Sequence, residues 1–118
     1  MKASIKGDSV APIVQILQDK QAEDITIIDL SRESTVADAY VLATGNSDVH
    51  MKALLGHVTD TLDSMNVGYR IEGENSPKWI LLDAGDIIVN IFGREGRDFY
   101  RLESIWASAR TIKANQTV

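Results

Sequence analysis

Apolar positions recur along the chain with two different periods, and the switches between them mark out eight elements. Val10, Ile13, Val14, Ile16 and Leu17 are spaced for a helix that Ser9 can cap, that tolerates Pro12 only in its first turn and that ends near Lys20. Ile25, Thr26, Ile27 and Ile28 form a β-branched run between Asp24 and Asp29 and predict a buried strand. A polar connector from Ser31 to Asp38 leads to a second strand, Tyr40-Val41-Leu42-Ala43, which stops at Thr44-Gly45-Asn46. From Ser47 the period lengthens: Met51, Leu54, Leu55, Val58, Leu62 and Met65 lie three or four apart, with Asp60 and Asp63 on the other side. This long helix ends near Asn66 and Gly68. Tyr69 to Glu72 predicts a short third strand, followed by the turn-rich connector Gly73 to Lys78. Trp79 to Leu82 and Ile87 to Phe92 flank Asp83-Ala84-Gly85-Asp86 and predict a hairpin. Phe99, Leu102, Ile105 and Trp106 mark a closing helix with a buried stripe, and the tail from Ala107 reads as frayed.

The order helix, strand, strand, helix, strand, strand, strand, helix places the chain in the α/β (α+β) class, as a mixed five-stranded sheet flanked by helices. The second strand, the long helix and the third strand read as one crossover unit, so those two strands should run parallel and the final hairpin antiparallel. No linker or repeat divides the sequence. Residues 1–118 are therefore expected to form a single domain, with a core from about residue 10 to about residue 106 and short flexible termini.

At 118 residues, 44% hydrophobic and 25% charged, the composition is that of a globular domain able to fold without disulfides. The absence of cysteine excludes thiolate catalysis and zinc ribbons and fits a reducing compartment. Neither a signal-peptide core nor an apolar run of membrane-spanning length occurs, so a cytoplasmic protein with no membrane contact is expected. The net charge of -5 argues against a general grip on nucleic acid, because such binding displaces counterions with Lys and Arg. A partner held by charge should be basic.

Candidate chemistry is sparse. The strand-turn-helix junction from Ala43 to His50 offers free helix-terminal amides to an anion, but Ser47 is also a favoured cap and Gly45 a favoured turn residue. It lacks the Lys of a phosphate-binding loop and the repeated glycines of a dinucleotide fingerprint. His50 and His57 share a helix face roughly 10 Å apart in rise, too far to hold one metal. Asp83 and Asp86 flank a turn whose chemistry accounts for them, and no third carboxylate is suitably spaced for metal chemistry. No nucleophile elbow or Ser-His-Asp pattern is present, so no catalytic or metal-binding residue and no cofactor is assigned. From Glu72 to Asp86 the chain carries Glu72, Glu74, Asp83 and Asp86 against the single base Lys78, with Trp79 among them. Two readings stand side by side there: a core Trp beside solvated loop charges, or an aromatic anchor with an acidic rim for a basic protein.

Three blocks in order, Asp38-Ala39-Tyr40-Val41-Leu42-Ala43-Thr44-Gly45 with Ser47 and His50, then EGENSPKWILLDAGDIIVNIF from Glu72 to Phe92, then REGRDFYRLESIW from Arg94 to Trp106, resemble the Iojap family of ribosomal silencing factors. Ala39, Val49 and Asn90 depart from that family's usual residues. The resemblance implies a homodimeric, nucleotidyltransferase-like fold without enzymatic activity. It also implies binding to ribosomal protein L-fourteen on the large ribosomal subunit, which blocks subunit association and represses translation in starvation or stationary phase. The partner-facing positions it implies are Trp79, Asp83, Asp86, Phe92, Glu72, Thr44, Ser47 and His50. The alternative is a nucleotidyltransferase-like nucleotide binder or enzyme. Such enzymes carry a Gly-Ser pair followed by Asp-x-Asp, whereas here Gly45 precedes Asn46 and no Asp-x-Asp follows.

Overall fold

A computed structural model describes residues 10–29, 38–99 and 110–113 of the chain. Helix α1 spans Val10–Asp19 and buries Val10, Ile13, Val14 and Leu17, the stripe expected from their spacing. Gln21 then takes a left-handed φ of 63°, and the Ala22 N–H returns to the Leu17 carbonyl at 2.9 Å, which closes the helix end. Helix α2, Asp48–Ser64, buries Met51, Leu54, Leu55, Val58 and Leu62. It ends in the same way: Asn66 adopts φ 60°, and the Val67 N–H reaches the Leu62 carbonyl at 3.0 Å.

The strands are β1 (Glu23–Asp29), β2 (Ala39–Thr44), β3 (Arg70–Glu72), β4 (Trp79–Asp83), β5 (Ile87–Phe92) and β6 (Arg110–Lys113), with a short helix α3 at Arg94–Phe99. They form one mixed sheet in the order β3-β4-β5-β2-β1-β6. The five expected strands are all present. The sequence predicts a frayed tail, but Arg110–Lys113 adds a sixth strand antiparallel to β1, with Ile112 opposite Ile27. The expected helical stripe at Leu102, Ile105 and Trp106 lies outside the described residues, as does most of the connector from Ser31 to Asp38.

One expectation about pairing needs correction. β2 and β3 do point the same way, but they are not neighbours: the parallel partner of β2 is β5, in register from Ala39 opposite Ile87 to Thr44 opposite Phe92. Burial explains the choice. Every residue of β5 is buried, as a central strand requires, whereas β3 has three residues, two of them exposed, and suits an edge. Helix α2 therefore crosses over β5 and β4 before the chain re-enters at the sheet edge.

The two sides of the sheet differ. Ala39, Val41 and Ala43 of β2, Ile80 and Leu82 of β4, and Ile87, Val89 and Ile91 of β5 join the helix residues in the main core. Their neighbours point the other way, where Ile28, Leu42 and Phe92 make a second, smaller cluster against Tyr40 and Trp79.

Candidate functional site

The second side of the sheet collects most of the candidate residues. Strand alternation and register place Thr44, Phe92 and Trp79 in one row across β2, β5 and β4. The next row runs Leu42, Asn90, Leu81 and Glu72, and the third Tyr40, Ile88, Asp83 and Arg70. Trp79 and Asp83 thus sit at opposite ends of β4, about 13 Å apart along the strand.

Trp79 is half-buried, so neither reading of the sequence is complete. Its ring lies over Phe92, with centroids 5.6 Å apart and planes 18° from parallel. Its Nε1–H donates to Asn90 Oδ1 at 2.9 Å. The strand start is fixed by the preceding turn, where the Ser76 hydroxyl accepts from the Lys78 and Trp79 amides at 3.1 and 3.3 Å. Gly73 is required in that turn: its φ is 74°, and a Cβ there would lie 2.8 Å from the Trp79 carbonyl oxygen. Phe92 is 0% exposed and Thr44 4%, so these two support the surface from beneath and do not present themselves.

The acidic residues are arranged around the far end. Asp83 is half-buried; its Oδ1 accepts from the Gly85 amide at 2.9 Å and its Oδ2 lies 3.5 Å from Arg70. Gly85 has φ 88°, so this is the turn chemistry anticipated for the Asp-Ala-Gly-Asp segment, with one oxygen turned to the surface cation. The Asp86 carbonyl accepts from the Asp38 and Ala39 amides at 2.7 and 3.2 Å, tying the hairpin to the start of β2. Glu72 is exposed on the edge strand.

Ser47 and His50 belong to a separate place, above the carboxyl end of β2. Ser47 is the N-cap of α2, its Oγ accepting from the His50 amide at 3.0 Å. The His50 ring is held on both sides: Nδ1 accepts from the Asn46 amide at 2.9 Å, and Nε2 faces the Lys20 carbonyl at 2.9 Å. An amide N–H on Nδ1 requires a lone pair there, so the proton sits on Nε2 and donates to Lys20. Serine and imidazole therefore do not face each other as nucleophile and base. The ring instead fastens the turn before α2 to the end of α1.

Beside that cap, a cleft of about 250 Å³ opens between the carboxyl ends of the parallel pair, lined by Asn46, Ser47, Met51, Lys78, Arg94 and Glu95 among others. Arg94 is committed to Glu23, with Nε and Nη2 at 3.1 and 2.6 Å from its two oxygens. That hydrogen bonding, with the guanidinium charge assisting, holds the Glu23 carboxyl below its ordinary value against the opposing effect of burial. Asp48 also lines the cleft, so its charge is mixed. Among the described residues no group of three His, Asp or Glu could hold a metal ion.

Asn90 and Arg70 are functional candidates that residue type alone does not single out. The one polar residue in the apolar run Ile87–Phe92 is the available signal for Asn90, because a buried amide requires a partner.

Comparison with known proteins gives a consistent picture. The family model described as "Ribosomal silencing factor during starvation" matches residues 3–118. The ribosomal silencing factor RsfS of Bacillus subtilis is 36% identical over 92 residues, covering 77% of this chain and 78% of that protein. The protein of the same name from Zymomonas mobilis is 40% identical over 96 residues, covering 80% and 71%. A crystal structure of a Chromobacterium violaceum protein superposes with a TM-score of 0.82 at 29% identity, covering 92% of this chain and 91% of that one.

Proposed function

The chain belongs to the ribosomal silencing factor family, and from that premise we propose that it binds the large ribosomal subunit through ribosomal protein L-fourteen. Bound there it occupies a face that the small subunit needs, so translation is repressed in starvation or stationary phase by steric exclusion, without catalysis, metal or cofactor. The protein acts in the cytoplasm and is a homodimer when free.

The observation that carries this reading is the presentation of Trp79: a half-buried indole, backed by Phe92, with Glu72 and Asp83 on the same side of the sheet. Ribosomal proteins are basic, so an aromatic anchor with an acidic rim matches such a partner in shape and charge. Trp79, Asp83 and Glu72 make the contact, with Asp86 at its margin. Phe92 and Thr44 support it from beneath. Ser47 and His50 hold the fold beside it.

Sedimentation of purified subunits with the protein tests the function directly. Co-migration with the large subunit and loss of subunit joining are expected, and Asp83→Arg should weaken both by repulsion. Co-migration with the small subunit alone, or undisturbed joining, overturns the proposal.

The cleft favours a second reading, because it lies at the carboxyl ends of the parallel strands β2 and β5, where open α/β sheets commonly hold ligands. Its mixed charge speaks against a nucleotide. Calorimetry with magnesium and nucleoside triphosphates decides, and saturable binding would revive the enzyme-like reading.

A further inference from the structure

A half-buried tryptophan at a protein surface ordinarily samples several rotamers, and a partner that needs one of them must pay for ordering it. Here the indole is held in two independent ways. The stack on Phe92 sets its plane, and the hydrogen bond to Asn90 sets its direction within that plane.

Asn90 is an unexpected residue for its position. It is 0% exposed in the middle of β5, between Ile88 and Phe92 on its own side and with Leu42 and Leu81 opposite on the neighbouring strands. An apolar side chain there would avoid the cost of burying an amide. The amide's other contact is weak, Nδ2 donating to the Ile88 carbonyl at 3.4 Å. Its one well-formed bond is the one to Trp79. The indole N–H is a donor only, so the Asn90 oxygen must be the atom that faces it, and no flipped amide serves.

We propose that Asn90 is the positioning residue of the docking surface, fixing the Trp79 indole before the partner arrives so that docking does not have to order it. The inference rests on the reading of Trp79 as the docking anchor. Asn90 itself, being buried, touches no partner.

Asn90→Leu keeps the branched shape and heavy-atom count of the side chain, although its methyl groups are bulkier, but cannot accept a hydrogen bond. In the folded variant, affinity for isolated large ribosomal subunits should fall by roughly three- to tenfold, the cost of ordering one freed aromatic side chain. The effect must run through the indole N–H. Trp79→Phe keeps a ring on Phe92 without a donor, so adding Asn90→Leu in that background should change affinity no further. A spectroscopic readout stands apart from binding: the Trp79 indole proton of the free wild type, assigned with Trp106→Phe, should exchange slowly with solvent and lose that protection in Asn90→Leu. If Asn90→Leu does not fold, the wild-type exchange rate alone still tests the proposal, and an unprotected indole proton overturns it. If Trp79→Ala abolishes binding while folded Asn90→Leu binds like wild type, the positioning role is wrong and the docking surface stands. If folded Trp79→Ala binds like wild type, the docking reading fails and takes this inference with it.

Discussion

Gly93 follows β5 at the point where the chain passes beneath the segment that launches β4. Its amide donates to the Lys78 carbonyl at 3.1 Å, and a Cβ built on it would stand 2.5 Å from the Pro77 carbonyl oxygen and 3.4 Å from the Met51 sulfur. The sulfur can swing aside; the carbonyl is backbone and cannot. Relieving that approach to ordinary contact requires a backbone shift of about 1 Å. Such a shift either strains the turn or lengthens the Gly93–Lys78 hydrogen bond. Overpacking costs about 1 to 3 kcal/mol and a weakened hydrogen bond about 1 kcal/mol, so Gly93→Ala should destabilise by about 2 to 4 kcal/mol. For a domain of this size that lowers Tm by about 6 to 16 °C. Urea and thermal unfolding measure it. Because the displaced residues lead directly into Trp79, the near-ultraviolet circular dichroism of the folded variant should change as well, and binding to large subunits should weaken. A variant within about 0.5 kcal/mol of wild type would refute the packing described between Gly93 and Pro77.

Other perturbations carry different signs. Gly56 is exposed in the middle of α2, and a Cβ added to it would meet nothing within 4 Å, so Gly56→Ala should stabilise by about 0.5 to 1 kcal/mol in the same unfolding assays; a loss of stability would count against it. Arg70 and Asp83 approach at 3.5 Å with side chains 79% and 33% exposed, so Arg70→Gln should change stability by less than about 0.5 kcal/mol. The same change frees Asp83 toward a basic partner, so it should tighten subunit binding and steepen its salt dependence; weaker binding would show that Asp83 does not face the partner. The lowered Glu23 value means that its pairing with Arg94 contributes fully above the ordinary value of 4.5 and is lost as pH falls through the lower folded-state value. The Tm difference between wild type and Glu23→Gln should therefore shrink between about pH 6 and about pH 3, and a constant difference would remove the pair from the account of stability.

The period of the apolar residues is enough to locate both long elements of local structure. Ile13, Val14 and Leu17, and Leu54, Val58 and Leu62, are spaced for one helix face and are buried on one. Pairing is less legible, because Ile87 to Phe92 carries no mark of which strand lies beside it. Only the continuous burial of β5 against the exposure of Arg70 and Glu72 separates the centre from the edge. The tail strand is hidden in the sequence because four residues, Arg110 to Lys113, with a single apolar side chain give no period at all. In the candidate site, Trp79 and Asp83 stand out by residue type, and the hairpin turn by its Asp and Gly. Arg70 as the partner of Asp83, and Asn90 as the partner of Trp79, depend on cross-strand register, which a sequence read in isolation does not contain.

The strand order has a consequence for how the chain acquires its fold. β2 meets β1 early, but its other neighbour, β5, comes only after α2, β3 and β4 have been made, and β1 is sealed on its outer side only when Lys113 reaches Thr26. Contacts so distant along the chain make folding slow, and synthesis proceeds from the N-terminal side. While Ile87 to Phe92 is still unmade, the apolar flank of β2 has no partner, and β1 offers a bare hydrogen-bonding edge. The nascent chain thus carries an adhesive half-sheet for most of its own translation, and a ribosome that stalls before β5 would release a fragment prone to pair with others like it.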